Sequence, residues 1–203
     1  MAEPGTIFTI GHSTHEIDRF LSLIGQHGIS AVADVRSTPA SRFNPQFNRD
    51  SLKATLARAG INYVFLGREL GARSDDRKCY VDGKVQYDRL AQAPAYQDGL
   101  ARLEAGRAEH RIAIMCSERD PLECHRAVLV AESLFAHGVP IVHILGDGGL
   151  ESHEQSRVRL RELHGLAEDD LFHSADELTA QALVRQEDRI AYVDEDSRQV
   201  GID

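Results

Sequence analysis

Residues 111–145 read RIAIMCSERDPLECHRAVLVAESLFAHGVPIVHIL and contain the pattern that decides the fold. Two short apolar runs at the ends of this stretch flank a segment rich in alanine, valine and leucine. Asp120 and Pro121 are suited to the start of a helix, and Gly138 to its end. A strand, a helix over 121–137 and a second strand predict a βαβ unit whose parallel strands are covered on both faces.

The same alternation extends back to the N-terminus. Strand-like runs and helical spacings follow one another, which is typical of an α/β fold with a mainly parallel sheet. We expect a single three-layer α/β domain with a five-stranded sheet. The predicted strands are 6–10, 31–35, 62–65, 111–116 and 140–145, and the predicted helices are 16–27, 50–59, 94–110 and 121–137. Residues 67–87 fit neither pattern, and long irregular segments are often functional.

The C-terminal part of the chain differs from the rest. It has helical patterns at 148–165 and 174–189, and residues 131–203 carry a net charge of −10, whereas the preceding part carries +1. We therefore predict an α/β domain over 1–150 and an acidic, mostly helical extension over 151–203.

The composition narrows the range of functions. The net charge of −9 disfavours broad, non-specific nucleic-acid binding, which needs a dominant basic surface, although a local basic pocket is allowed. The chain has no apolar run of the roughly 20 residues that span a membrane and no secretion signal at its N-terminus. We therefore predict no membrane partner and a cytosolic location.

The odd number of cysteines, at Cys79, Cys116 and Cys124, argues against a disulfide framework. The sequence does not determine the oligomeric state.

Polar side chains follow three of the predicted strands at the points where the strands end. His12 and Ser13 follow the first strand, Asp34 and Arg36 end the second, and Cys116 ends the fourth, with Glu118 just beyond it. Ligands of parallel sheets bind outside the carboxyl ends of the strands. We therefore expect these side chains to share one site.

The residue types suggest a role for each group. Cys116 precedes a helix N-terminus, where the pKa of a thiol can fall, and it would be a nucleophile or a metal ligand. Glu118 or His12 would carry a proton. Guanidinium and hydroxyl groups would hold an anionic partner, either a phosphate- or nucleotide-like small molecule or a nucleic-acid segment. The predicted ligand-binding residues are Ser13, Asp34, Arg36, Ser41, Arg42, His125 and Arg126. These roles describe a Cys-dependent hydrolase or transferase.

Two other functions stay open. The same pocket could bind a nucleic acid or a metabolite without catalysing a reaction. Alternatively, Cys116, Cys124 and His125 could bind zinc or iron, and no other cofactor is predicted. The Cys-x7-Cys-His spacing is not a recognised zinc pattern. Successive residues of a helix point about 100° apart, so we do not expect Cys124, His125 and Arg126 all to face one ligand.

Some of these residues also have structural interpretations. Cys116 could be a small buried hydrophobic residue at the end of a strand. Ser13 could cap the following helix, with Glu16 completing a capping box. Phe43 and Phe47 could stack on a base or fill the core.

Several motifs together resemble a known family. They are Thr9-Ile10-Gly11-His12-Ser13, Asp34-Val35-Arg36, Pro39-x-Ser41-Arg42-x-x-Pro45-x-Phe47, Gly60-Ile61-x-Tyr63, Leu70-Gly71, Cys116-x-Glu118 and Cys124-His125-Arg126. In this order, over residues 6–150, they are similar to the bacterial and archaeal family called domain of unknown function 488. The resemblance implies a compact α/β domain and no established reaction. In layout, Cys116 followed by Arg126 also resembles the cysteine loops of rhodaneses and phosphatases, but the spacing here is longer than in a phosphatase loop.

Overall fold

The computed structural model describes residues 5–166 and 172–195. The strands in these residues are β1 (Ile7–Gly11), β2 (Ala31–Asp34), β3 (Asn62–Phe65), β4 (Tyr80–Val81), β5 (Lys84–Val85), β6 (Ile112–Cys116), β7 (Ile141–Ile144) and β8 (Leu150–Ser152). Six of them form one sheet in the order β3-β2-β6-β1-β7-β8. The first five in this order are parallel, and β8 pairs antiparallel with β7 at the edge. The predicted α/β class is confirmed.

The sheet has one strand more than predicted. After β7 the chain turns through Gly148, whose φ is 101°, and returns along β7, with the Leu145 N–H donating to the Gly149 carbonyl at 2.9 Å. The prediction of a helix over 148–165 is therefore wrong at its start. This helix begins at His153, after a capping box formed by Ser152 and Gln155.

Helices cover both faces of the sheet and give it three layers. They are α1 (Ile17–Gln26), α2 (Arg49–Arg58), α3 (Tyr87–Gln92), α4 (Pro94–Gly106), α5 (Glu132–Ala136), α6 (His153–Leu163) and α7 (Ala175–Ile190). On one face, Phe20 of α1 and Leu52 of α2 pack with Met115 of β6. On the other face, Leu100 of α4 and Leu134 of α5 pack with alternate residues of the same strand. Burial of these apolar side chains is the main force that holds the layers together.

The helix predicted over 121–137 is divided into three parts. Pro121–Glu123 form a 3₁₀ turn, Arg126–Ala131 form a π-helical segment, and α5 follows directly. Between the first two parts, Cys124 is extended, with φ −144° and ψ 137°. Because Cys124 lies outside any helix, the helical spacing predicted for Cys124, His125 and Arg126 does not hold for Cys124.

The segment 67–87 contains more structure than predicted. Arg77–Cys79 form a 3₁₀ turn, and β4 and β5 form a hairpin whose turn passes through Asp82 and Gly83, both with positive φ. The unpredicted helix α3 follows this hairpin.

The predicted C-terminal extension contains the helices α6 and α7 in the residues that the structure describes. Helix α7 packs against α6, and the Gln186 side-chain amide donates to the Leu122 carbonyl at 2.7 Å. The division of the chain at residue 150 stays a prediction, and residues 167–171 and 196–203 of the extension lie outside the described residues. No helix of the described ranges combines the length and the apolarity needed to cross a bilayer.

Candidate functional site

The carboxyl ends of β1, β2 and β6 lie side by side, since β6 is between the other two strands. Just beyond the ladder, the His12 N–H donates to the Cys116 carbonyl at 2.9 Å, and the Ser13 N–H donates to the Ser117 carbonyl at 2.9 Å. The sheet therefore brings together the strand ends that carry most of the predicted site residues.

Ser13 has a left-handed backbone conformation, with φ 47°. The alternative that Ser13 caps α1 is wrong, because the helix begins at Ile17 and Glu16 occupies the N-cap position. Non-glycine residues adopt this conformation infrequently, and such residues occur often at functional sites. The bond from the Ser13 N–H to the loop after β6 holds the conformation in place.

Cys116, Cys124 and His125 form a buried group that we call the thiol cluster. The His125 Nδ1 atom lies 3.7 Å from the Cys116 sulfur and 3.9 Å from the Cys124 sulfur. The opposite ring nitrogen, Nε2, donates to the Val35 carbonyl at 3.1 Å. This bond fixes the ring so that Nδ1 faces both sulfurs, as a lone pair when the imidazole is neutral and as an N–H when it is protonated.

The two thiols have different electrostatic surroundings. A hydrogen bond with Cys124 and burial raise the pKa of Cys116 well above its usual value. Although burial opposes ionisation at Cys124 as well, the hydrogen bond with Cys116 and the positive charges of Arg126 and His125 lower the pKa of this thiol well below its usual value. The Arg126 N–H also donates to the Cys124 sulfur at 3.4 Å. Cys124 is therefore the more acidic thiol of the pair.

Glu118 lies beside the two sulfurs, on the loop after β6. Partial burial and the proximity of Cys124 raise the pKa of its carboxyl group above the ordinary value. A carboxyl group with a raised pKa can both donate and accept a proton nearer neutral pH.

Arg36 is buried in a polar network. Its guanidinium donates to both carboxylate oxygens of Asp34, at 2.9 and 2.6 Å, and to the Phe47 carbonyl at 2.8 Å. The Tyr63 hydroxyl donates to the same carboxylate at 2.8 Å. The remaining terminal nitrogen lies 3.1 Å from the His12 Nε2 atom. In this geometry Arg36 mainly holds neighbouring residues of the site in position.

His12 is held as a neutral imidazole. Its Nδ1 atom lies 2.8 Å from the Ser13 carbonyl and donates to it, so Nε2 accepts a hydrogen bond from Arg36. Burial and the charge of Arg36 lower the pKa of His12 to about 4. The ring also stacks on Phe47, with 4.4 Å between the ring centroids.

Arg126 lies beneath the loop after β6 and is fully buried. Its terminal nitrogens donate to the Glu118 carbonyl at 2.7 Å and to the Arg119 carbonyl at 3.1 Å. Gly11 permits this arrangement, because a Cβ atom at that position would lie 1.8 Å from the Glu118 carbonyl oxygen. Both terminal nitrogens of Arg126 are thus engaged with the loop.

Ser41 and Arg42 lie on the loop between β2 and α2. The Ser41 hydroxyl accepts hydrogen bonds from the N–H groups of Phe43 and Asn44, at 3.1 and 3.2 Å. Arg42 is exposed, and its guanidinium lies 4.7 Å from the centroid of the Phe43 ring. The loop therefore carries an ordered hydroxyl group and an exposed Arg–Phe pair.

Two adjoining cavities open at this end of the sheet. The first, the thiol pocket, has a volume of about 220 Å³. Its lining includes Cys116, Cys124, His125, Glu118, Arg73 and Tyr192. The second, the hydroxyl pocket, has a volume of about 290 Å³. Its lining includes His12, Ser13, Thr14, Thr38, Ser41 and Arg119. Arg36, Thr38, Ser117 and Glu118 line both cavities.

The structure adds residues to those singled out from the sequence. Tyr63 binds Asp34, and the motif that contains it pointed to this position. Arg119 lines the hydroxyl pocket, and its place three residues after Cys116 could have indicated it. Arg73 and Tyr192, which stack 4.4 Å apart, reach the thiol pocket from distant segments. No local pattern predicts this contact.

A family model described as domain of unknown function DUF488 matches residues 16–133, more than half of the chain. The matched range includes Asp34, Arg36, Glu118 and the whole thiol cluster. Neither the curated proteins nor the solved structures include a significant match to this chain. Because the family model matches more than half of the chain, including β2, β3, β6 and the thiol cluster, the chain belongs to the DUF488 family.

Proposed function

We propose that the protein is an enzyme that binds the anionic part of a substrate in the hydroxyl pocket and acts on it at the thiol pocket. This proposal rests on one observation: the two cavities share lining residues, among them Ser117 and Glu118. A substrate anchored in one cavity would therefore have its reacting atoms next to the thiol cluster.

The hydroxyl pocket has the chemistry of an anion site. Ser13, Thr14, Thr38 and Ser41 contribute hydroxyl groups, and Arg119 contributes a positive charge. Such groups donate hydrogen bonds to phosphate or carboxylate oxygens. Glu118 is the one acid among the described residues that line this cavity.

A nucleotide or a nucleic-acid end is a suitable form of this anion. Phe43, adjacent to the lining residue Asn44, is 78 % exposed, and an exposed aromatic ring can stack on a base. The negative net charge of the chain favours a small ligand or a chain end over a long nucleic-acid segment.

The thiol cluster would supply the reactive group. Cys124 is better suited than Cys116 to provide a thiolate, because the Arg126 N–H and nearby positive charges stabilise its ionised form. Such a thiolate serves either as a nucleophile or as a metal ligand. Glu118 would carry the proton. His12 is less suited to that role, because its Nε2 atom binds Arg36 and its pKa is about 4. A reducing cytosol would keep the thiols available.

The proposal is tested by titrating the full chain with inorganic phosphate, pyrophosphate and a nucleoside 5′-monophosphate in a calorimeter. We expect binding that weakens with salt and falls about tenfold in Arg119→Ala, the loss of one charge-assisted contact. Arg58→Ala, which removes an exposed guanidinium at the end of α2, is the matched control and should bind like the original chain.

Turnover distinguishes the enzyme from a binding module. Phosphate esters and anhydrides of the compounds that bind should be converted by the original chain and not by Cys124→Ser. Binding without any conversion would favour the alternative of a non-catalytic nucleotide- or nucleic-acid-binding module. If neither phosphate nor the nucleotide binds, the assignment of an anion site is wrong.

A further inference from the structure

The thiol cluster presents three soft donor atoms to one point. The Cys116 sulfur, the Cys124 sulfur and the His125 Nδ1 atom all lie within 4.8 Å of one another. Each residue is at least nine-tenths buried, and all three line the thiol pocket. Two thiols and an imidazole are the donors that zinc prefers in proteins.

The distances fit a tetrahedral ion. With zinc–sulfur bonds of about 2.3 Å and zinc–nitrogen bonds of about 2.0 Å, sulfur and nitrogen ligands lie about 3.5 Å apart. In the cluster, His125 Nδ1 is 3.7 Å from one sulfur and 3.9 Å from the other. A contraction of a few tenths of an ångström would therefore bring Nδ1 to the expected separation from each sulfur, and the two sulfurs lie within 4.8 Å of each other.

The groups around the cluster also suit a metal site. The Val35 carbonyl accepts a hydrogen bond from His125 Nε2, and this selects the tautomer whose Nδ1 lone pair is free to bind an ion. The Arg126 N–H donates to the Cys124 sulfur at 3.4 Å, a bond that stabilises a thiolate ligand. The extended backbone of Cys124 allows adjacent residues to supply two ligands, which a regular helix would prevent.

We infer that Cys116, Cys124 and His125 bind a thiophilic divalent ion of the zinc class, with a fourth position that opens into the thiol pocket. Three protein ligands and an open position are the arrangement of catalytic rather than structural zinc. Glu118 lies beside this position and would bind the ion or orient a water molecule on it. The inference gives the reactive group of the proposed function a chemical identity, and in this it rests on that function.

Metal binding is tested without reference to activity. The full chain, reduced and stripped with a chelator, is titrated with zinc in competition with a chromophoric chelator, and with cobalt(II) while its spectrum is recorded. We expect one ion per chain and a thiolate-to-cobalt charge-transfer band. Cys116→Ser, Cys124→Ser and His125→Gln should each weaken zinc binding more than about 100-fold, beyond the usual effect of an outer-shell partner. Cys79→Ser, which removes the buried cysteine outside the cluster, should bind like the original chain.

A protection experiment needs no variant. Zinc should slow the alkylation of Cys116 and Cys124 by iodoacetamide, mapped by mass spectrometry, and leave the rate at Cys79 unchanged. Equal alkylation with and without zinc, or zinc binding that survives loss of the cluster residues, would overturn the inference. The proposed function has a separate readout: phosphate binding with no zinc binding would leave a thiolate nucleophile as the reactive group, and zinc binding with no phosphate binding would contradict the anion site alone.

Discussion

The Nη1 atom of Arg126 lies 2.7 Å from the carbonyl oxygen of Glu118, so one buried guanidinium fixes the loop that separates the two pockets. A second bond from the same side chain holds the Arg119 carbonyl. His125, the residue before Arg126, faces the sulfurs, and the backbone N–H of Arg126 donates to the Cys124 sulfur. The position of Arg126 thus connects the loop to the thiol cluster.

Arg126→Met should destabilise the fold and release this loop. Methionine keeps much of the side-chain length but loses two charge-assisted hydrogen bonds, each worth about 1.5–3 kcal/mol. We expect the free energy of unfolding in urea to fall by about 3 kcal/mol. Arg58→Met, at an exposed helix end, should change it by less than about 0.5 kcal/mol. A loss below about 1 kcal/mol at Arg126 would mean that the loop holds its place without the guanidinium.

Gly11→Ala should disrupt the position of the same loop, because Gly11 packs against the Glu118 carbonyl. The new Cβ atom would lie 1.8 Å from the Glu118 carbonyl oxygen, so backbone has to move, and we expect a loss of about 2–3 kcal/mol in unfolding free energy. Gly25→Ala in α1 is the control, because a Cβ atom there meets nothing within 4 Å. It should stabilise the helix by about 0.5–1 kcal/mol. Equal effects of the two substitutions would contradict the close approach at Gly11.

The location of the site could be predicted because it depends on topology. Parallel strands end at one edge of the sheet, so the residues after each strand meet there whatever the loops do. The apolar runs that mark the strands are visible in the sequence, and the ends of β1, β2 and β6 follow from them. The pairing of Asp34 with Arg36 could also be predicted, because the two residues are only two positions apart in the sequence.

The geometry around Cys124 could not be predicted because long-range contacts determine it. Local signals at Asp120 and Pro121 indicate a continuous helix, but His125 binds the Val35 carbonyl and Arg126 binds the loop carbonyls. Alongside these contacts, Cys124 is extended between two helical segments. As a result, the side chains of Cys124 and His125 both face the thiol pocket. The added strand β8 similarly depends on pairing with β7, which overrides a helical pattern.

Asp34→Asn should be among the most destabilising conservative substitutions in the protein. The carboxylate accepts three hydrogen bonds from Arg36, one of them from its backbone N–H, and both side chains are buried. Removing one charge of a buried pair leaves the other uncompensated, at a cost of about 3–5 kcal/mol.

A double-mutant cycle provides the control for this substitution. Asp34→Asn combined with Arg36→Met should be less destabilised than the sum of the two single variants, because the uncompensated charge is then absent. Additive losses in urea unfolding would show that the two side chains stabilise the protein independently.

His12 should make the protein less stable in acid. The pKa of its imidazole is about 4 in the folded protein and about 6.5 in the unfolded chain, so the unfolded chain binds the proton first as the pH falls. The stabilisation from neutral His12 is therefore complete above about pH 6.5 and is lost as the pH falls toward about 4, by on the order of 3 kcal/mol.

Unfolding free energies measured in urea between these pH values should fall more steeply for the original chain than for His12→Gln, whose amide does not titrate. Because every other titrating histidine is present in both chains, the difference between the two curves isolates His12. If an NMR titration shows that the His12 ring protonates near its ordinary pKa, and the two stability curves are parallel, then burial and the contact with Arg36 do not lower the pKa of His12.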